Sequence, residues 1–129
     1  MVNTSAFDYI NVLTKAADAS WTREGLLANN ISNVDTPGYK RQDIDFESVL
    51  SQELGRCKHS SLDEKMSELH MDHLDPQVYT DYENYSYRLD GNNVDIDTEQ
   101  VELASEQIKY QALTQGITSE FQRMQDVIK

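Results

Sequence analysis

The sequence has few of the features that often reveal a protein's chemistry. Cys57 is the only cysteine among 129 residues, so an intrachain disulfide is excluded. No apolar run approaches the ~18 residues of a membrane span. The first twenty residues lack the basic start and apolar core of a cleavable signal. If the chain leaves the cytosol, we expect it to do so without a cleaved leader.

Motifs for catalysis and cofactor binding are also absent. The five glycines are scattered and form no phosphate-binding or dinucleotide-binding loop, and no nucleophile elbow occurs. No strong metal-binding spacing is found among Cys57, His59, His70, Asp72 and His73. We therefore expect no enzymatic activity, no cofactor, no metal and no small-molecule substrate.

Basic residues are scarce, and the formal net charge is −12. Phosphate binding needs clustered Lys and Arg, so this charge argues against a nucleic-acid partner. Residues 61–97 carry ten acids and two bases, whereas residues 1–33 and 98–129 together carry a net charge of only −3. Either the acidic middle is an ordinary solvated surface, or the two ends are nearly neutral because they pack against copies or relatives.

Two long helices are predicted, and the first spans residues 4–33. Its first apolar stripe, at 3.6-residue spacing, comprises Tyr9, Val12, Leu13, Ala16, Leu27 and Ile31. A second stripe lies to the side and comprises Ile10, Ala17, Trp21 and Ala28. One neighbouring helix cannot cover both stripes. In this segment Asn, Ser and Thr outnumber charged residues, which is unusual for a helix with one face in water.

The second helix is predicted over residues 98–128, with Asp97 as its N-cap. Its broad apolar stripe comprises Leu103, Tyr110, Leu113, Ile117, Phe121, Met124 and Ile128. A shorter, nearly opposite stripe comprises Val101, Ala104, Ile108 and Ala112. A third face is lined by Gln100, Gln107, Gln111, Gln115, Gln122 and Gln125. Because amides form hydrogen bonds without the cost of burying charge, this face is either a neutral surface in water or one that meets other subunits.

Local signals organise the segment between the helices. Residues 36–39, Thr-Pro-Gly-Tyr, have the sequence of a type II turn. A short amphipathic helix begins near Phe46 and ends at Gly55 as a left-handed cap, and Ser61 opens a capping box for another short helix. Alternating residues between 79 and 97 predict a small β-hairpin.

These signals predict a mainly α fold of one domain, with the terminal helices paired as an antiparallel, coiled-coil-like hairpin. Its parts are the N-terminal helix (4–33), a turn and extended segment (34–60), an acidic middle with a short helix and the β-hairpin (61–97), and the C-terminal helix (98–128). Two rods of about 45 Å bury one seam and leave other faces open. We therefore expect a chain that is well ordered only in an assembly.

Residues 25–40, GLLANNISNVDTPGYK, resemble the N-terminal signature of the bacterial flagellar axial proteins, the rod and hook family. Three further stretches resemble the proximal-rod members of that family: KRQDIDF (40–46), RLDGNNVDIDTE (88–99) and YQALT (110–114). Ser32 replaces the alanine that is more usual in the signature. The resemblance covers residues 1–50 and 85–129 and is weak between them.

The resemblance implies a structural subunit of the rod, the shaft that transmits torque from the membrane ring to the hook. It implies a place in the flagellar basal body, on the periplasmic side, after export through the flagellar type III apparatus without a cleaved signal peptide. The implied partners are copies of the chain, other rod proteins and a rod-to-membrane-ring adaptor. The alternative is a soluble helical adaptor or export chaperone, stable as a free monomer or dimer.

The assembly interface predicted from these patterns lies on both helices and on the turn. The asparagines in it either satisfy helix-end carbonyls or a neighbour's groups, or cap the helix within one chain. The predicted residues are Trp21, Leu27, Asn29, Asn30, Ile31, Asn33, Pro37, Gly38, Tyr39, Gln107, Tyr110, Gln111, Leu113, Gln115, Ile117, Phe121 and Met124.

Overall fold

A computed structural model describes residues 5–58, 61–82 and 93–129. Most of the described chain is helical. The elements, in chain order, are α1 (Ser5–Ser32), β1 (Gln42–Asp43), α2 (Phe46–Arg56), α3 (Leu62–Glu68), a 3₁₀ turn (Met71–Leu74), β2 (Tyr79–Thr80) and α4 (Ile96–Ile128).

The two long helices, α1 and α4, pair side by side along most of their length. Near the start of α1, Leu13 Cδ1 lies 3.9 Å from the position a Cβ would take on Gly116. Further along α1, Ser20 Oγ donates to the carbonyl oxygen of Glu106 at 3.5 Å. Because residue numbers rise along α1 while those of their partners fall along α4, the pairing is antiparallel. The predicted hairpin of terminal helices is confirmed.

A second layer covers another side of α1. It consists of α2, α3 and the 3₁₀ turn, which we call the lobe. The core between α1 and the lobe comprises Val12, Ala19, Phe46, Met66, Leu69 and Leu74. Two contacts between side chains hold the lobe at its edges: Tyr9 donates to Asp63 at 2.6 Å, and Lys15 pairs with Asp75 at 2.7 Å. The chain's own middle therefore covers part of the apolar surface that one helix could not.

The turn after α1 forms as predicted. The Tyr39 N–H donates to the Thr36 carbonyl at 3.2 Å, and Gly38 has a φ of +72°. A type II turn needs a positive φ at its third residue, where glycine has no steric penalty, and Pro37 presets φ at the second. The turn directs the chain back along α1 into β1.

The two-stranded antiparallel sheet in the middle is confirmed, but its strands differ from those predicted. β1 pairs with β2, with Gln42 opposite Thr80 and Asp43 opposite Tyr79. The β-hairpin predicted between residues 79 and 97 lies partly outside the described residues, which omit 83–92. Its second strand is wrong, because residues 93–95 do not form a strand and Ile96 already begins α4.

Two helix boundaries also differ from prediction. Asp95, not Asp97, is the N-cap of α4, because its Oδ1 accepts from the Asp97 N–H at 3.1 Å while Asp97 lies in the first turn. Gly55 does not end α2, since the helix continues to Arg56 and Gly55 has no positive φ. Ser61 caps α3 as predicted and accepts from the Glu64 N–H at 3.3 Å.

The cap of α4 gives a matched pair of variants. We expect Asp95→Ala to lower the free energy of unfolding by about 1 kcal/mol, because it leaves a helix-end N–H unsatisfied. Asp97→Ala removes only a favourable charge in the first turn, so its effect should be the smaller one. Urea denaturation followed by circular dichroism measures both. Equal losses, or a larger loss for Asp97→Ala, would contradict the assignment of the cap.

Candidate assembly interface

The half-buried Arg23 in α1 binds three carboxylates. Its Nε and Nη2 donate to the two oxygens of Asp43 at 2.8 and 3.2 Å. Its Nη1 donates to Glu106 at 2.8 Å, and Nη2 also donates to Glu102 at 3.0 Å. Asp43 lies in β1 and both glutamates lie in α4, so one guanidinium joins three parts of the fold.

Arg41, just before β1, extends this cluster. Its Nε donates to Glu99 at 2.6 Å and its Nη2 donates to Asp43 at 3.1 Å. The side chains of Asp43 and Glu99 are only 7% and 2% exposed, so both charges depend on the arginines for compensation. We call the whole cluster the arginine network; it comprises Arg23, Arg41, Asp43, Glu99, Glu102 and Glu106.

Asn30 connects the end of α1 to this network and is fully buried. Its Nδ2 donates to the Gln42 carbonyl at 2.8 Å, and its Oδ1 accepts from the Gln42 N–H at 2.9 Å. Nδ2 also donates to Glu99 at 3.2 Å, and the Tyr39 hydroxyl donates to Oδ1 at 3.1 Å. Asn30 therefore acts as a side-chain clamp on the strand within one chain.

The network shifts the ionisation of its members. The pKa of Arg23 is raised above its usual value by its hydrogen bond to Asp43 and, further, by Glu106 and Glu102. Burial by itself would raise the pKa of Asp43. The hydrogen bonds and positive charges of Arg23 and Arg41, with a further bond from the Ile44 N–H, outweigh burial and hold that pKa below its usual value.

The outward surface of α4 has the opposite character. Between Thr98 and Gln122 the charged residues are all buried or half-buried and contact partners within the chain: Glu99, Glu102, Glu106, Lys109 and Glu120. Every exposed residue in that range is uncharged. We call this set the uncharged face of α4; it comprises Thr98, Gln100, Val101, Ala104, Ser105, Gln107, Ile108, Gln111, Ala112, Gln115, Thr118, Phe121 and Gln122.

The exposed side of α1 is similar. Trp21 is 67% exposed there. Between Phe7 and Ser32 only Asp18 is both exposed and charged. We call this set the outer face of α1; it comprises Phe7, Asn11, Thr14, Asp18, Trp21, Thr22, Gly25, Ala28, Asn29 and Ser32. A helix surface in water normally carries Glu and Lys, so both helices are unusual in the same way.

The structure divides the residues predicted for the assembly interface into three groups. The exposed ones are Trp21, Asn29, Pro37, Gly38, Gln107, Gln111, Gln115 and Phe121. The half-buried ones are Ile31, Asn33, Tyr39, Tyr110, Leu113, Ile117 and Met124. Leu27 and Asn30 are fully buried within the chain, so neither side chain can reach a neighbour in this conformation.

The asparagines at the end of α1 have different roles. Asn33 Nδ2 donates to the Asn29 carbonyl at 2.8 Å, which satisfies a helix-end carbonyl as expected. Asn30 has the internal role described above. The sequence predicted it as an interface residue, and its bonds to the strand were not predicted. The prediction also left out Val101, Ala104, Ile108 and Ala112, which are exposed and whose helical spacing was visible in the sequence.

Cys57, His70 and His73 line a surface pocket beside α2 together with Glu53. His73 Nδ1 lies 3.1 Å from Glu53 Oε2, and the rings of His70 and His73 are 5.3 Å apart. In residues 5–58, 61–82 and 93–129, no three His, Cys, Asp or Glu side chains converge as a metal ion requires. His59 lies outside the described residues. Within the same ranges, no helix has the length and apolarity needed to cross a membrane.

The end of α1 and the turn after it coincide with a family signature. The family model described as "Flagella basal body rod protein" matches residues 26–40. This segment contains the Asn30 clamp and the turn that leads into β1. Over this segment the chain is therefore similar to the class of flagellar basal body rod proteins.

Whole-chain comparisons identify the family within that class. The chain is 35% identical over 127 residues to the flagellar basal body rod protein FlgB of Bacillus subtilis, covering 92% of each chain. It is 32% identical over 114 residues to FlgB of Escherichia coli and 37% identical over 116 residues to FlgB of Proteus mirabilis, covering 83% of each chain in both comparisons. The chain belongs to the FlgB family and is a structural subunit of the flagellar rod, within the basal body. The alternative of an adaptor or export chaperone is not favoured.

The arginine network predicts a specific response to acid. Because the pKa of Asp43 in the folded chain lies below its unfolded value of about 3.9, its charge stabilises the fold above about pH 4, and this contribution is lost as pH falls through the folded pKa. We expect Asp43→Asn to lower the free energy of unfolding at pH 7 by about 3 kcal/mol, since it leaves two guanidinium groups undercompensated. The loss of stability between pH 4 and pH 2 should be smaller in the variant.

Urea denaturation at a series of pH values measures both effects. Asp126→Asn is the matched control, because Asp126 forms an exposed ion pair with Lys129 at 3.9 Å. The control should keep the acid response of the parent chain. An Asp43→Asn variant as stable as the parent at pH 7 would show that the network does not stabilise the fold.

Proposed function

We propose that this rod subunit assembles through the uncharged face of α4 and the outer face of α1, packed against equivalent helices of its neighbours. The neighbours are copies of the chain and other rod proteins, which contact it head to tail. Contacts of this kind that do not close into a ring generate a helical tube. The observation that carries the proposal is the absence of charge among the exposed residues of α4 from Thr98 to Gln122.

The physical reason lies in the cost of burying different side chains. An ionised side chain that is buried at a contact between subunits needs a partner of opposite charge, whereas glutamine can find a hydrogen-bond partner of almost any kind. Apolar residues on the same face, such as Val101 and Ile108, stabilise the contact by leaving water. A tube wall made of many such contacts can transmit torque without any single strong bond.

The acidic lobe has a different place in this proposal. Its exposed acids include Asp63, Glu64, Glu68 and Asp72, and like charges of this density repel each other when packed closely. The lobe therefore lies on the outside of the tube. The resemblance to axial proteins supports three finer points: export through the flagellar type III apparatus without a cleaved leader, a position on the periplasmic side, and contact with a rod-to-membrane-ring adaptor.

Assembly is tested by placing a charge on the uncharged face of α4. Ile108 is 69% exposed, so Ile108→Glu should change the free energy of unfolding by no more than about 0.5 kcal/mol. In a strain lacking its own subunit of this family, we expect the variant to support neither rod assembly nor swimming, while its export stays detectable. A carboxylate buried at the subunit contact would lack a partner.

The matched control is Leu62→Glu, which places the same charge at a 54% exposed position on α3 in the lobe. We expect cells with this variant to swim. Swimming cells with Ile108→Glu would refute the proposed contact. Leu27→Asp is a poor test, because Leu27 is fully buried and the substitution would unfold the chain itself.

A further inference from the structure

The inward positions of the two long helices repeat every seven residues. In α1, two series of buried or half-buried residues have this spacing. The first is Ile10, Ala17, Glu24 and Ile31, and the second is Leu13, Ser20 and Leu27. In α4 the corresponding series are Leu103, Tyr110, Ile117, Met124 and Glu99, Glu106, Leu113, Glu120. Apolar contacts between heptad repeats are similar after a slide of one repeat, about 10.5 Å. The apolar residues alone therefore specify the axial register weakly.

Two inward positions of α4 break this repeat, because Glu99 and Glu106 carry buried carboxylates. Each has its own arginine: Glu106 pairs with Arg23 at 2.8 Å and Glu99 with Arg41 at 2.6 Å. A single polar residue at an inward heptad position can fix the register of paired helices. We propose that the arginine network sets the axial register of α4 against α1, with Arg23 and Arg41 as the positioning residues.

Both one-heptad slides are penalised by the sequence. In one direction, Arg23 faces Leu113 and Lys109 in place of Glu106 and Glu102. The cations Arg23 and Lys109 then lie side by side, and Asp43 is the only carboxylate still bound to Arg23. In the other direction Glu99 moves to the place of Glu106, so that Arg41 and Asn30 both lose Glu99. Arg41 then keeps only Asp43, at 3.1 Å, and the more distant Asp81, at 3.8 Å. Only the observed register gives both arginines all the carboxylates that they bind in the structure.

The register decides where the exposed residues of the two helices stand relative to one another. A slide of α4 by one heptad would carry its exposed residues, such as Val101 and Ile108, about 10.5 Å along the axis of α1. The importance of the register for the rod rests on the proposed function. The register itself is a property of the isolated chain and can be measured there.

Disulfide trapping in the purified chain reads the register directly. In a Cys57→Ser background, Leu13→Cys with Gly116→Cys reports the native register, because Leu13 lies against Gly116. Leu13→Cys with Arg123→Cys reports a slide of one heptad, since that pair is otherwise separated by about 10.5 Å along the axis and out of disulfide reach.

The test variant removes the network's charges together: Arg23→Met, Arg41→Met, Asp43→Asn, Glu99→Gln, Glu102→Gln and Glu106→Gln. We expect cooperative unfolding to be retained, because an ion network replaced as a whole leaves no uncompensated charge. The native disulfide should fall and the 13–123 disulfide should rise roughly tenfold relative to the parent. The control variant, Asp126→Asn with Lys129→Met, removes an exposed ion pair and should give the parent's pattern.

The Arg23→Lys variant tests whether the network sets the register if the combined variant does not fold. It keeps the positive charge, but a single ammonium lacks the planar fork that reaches Asp43, Glu102 and Glu106 together. We expect a smaller shift in the same direction. A native disulfide at the parent's level in every folded network variant, without any 13–123 disulfide, would overturn the proposal. Rod assembly that fails despite an intact register would instead count against the proposed function.

Discussion

The binding of four carboxylates by two half-buried guanidinium groups is the interaction on which the rest of the structure depends. Arg23 and Arg41 bring α1, β1 and α4 together through Asp43, Glu99, Glu102 and Glu106. Three glutamates of α4, Glu99, Glu102 and Glu106, point into this cluster, and the exposed residues of the helix between Thr98 and Gln122 are uncharged. The same pairs thus join the two terminal helices and leave them an outward surface fit for contact with neighbours.

Apolar residues alone could also join the helices, and using buried ion pairs in their place costs desolvation free energy. Buried ion pairs lose much of their Coulomb attraction to desolvation, so they contribute little net stability compared with well-packed apolar residues. Their advantage is direction, because a guanidinium binds carboxylates only in its own plane and at fixed positions. The core under the lobe, with Phe46 and Leu74, supplies burial of apolar area. The arginine network instead fixes the relative positions of α1, β1 and α4.

Much of the fold could be predicted from local patterns, since helix periodicity, the Pro37-Gly38 turn and the Ser61 cap each depend on residues a few positions apart. The arginine network could not be predicted in this way. Arg23 and its partner Glu106 are 83 residues apart, and the sequence around a charged residue does not indicate which residue pairs with it. Asn33 and Asn30 show the difference. The first caps its own helix, as its position suggests, while the second bonds a strand that only the folded chain brings near.

The uncharged faces make the proposed packing of a highly acidic chain against copies of itself physically reasonable. The formal net charge of −12 would oppose association if it were spread evenly, but residues 61–97 hold most of it. The charges of α4 that remain are largely neutralised within the chain by Arg23, Arg41 and Lys109. In the proposed assembly, repulsion between neighbours then arises mainly from residues 61–97, and salt screens it. Within that proposed assembly, amides and small apolar side chains make the close contacts, and their interaction energies depend little on ionic strength.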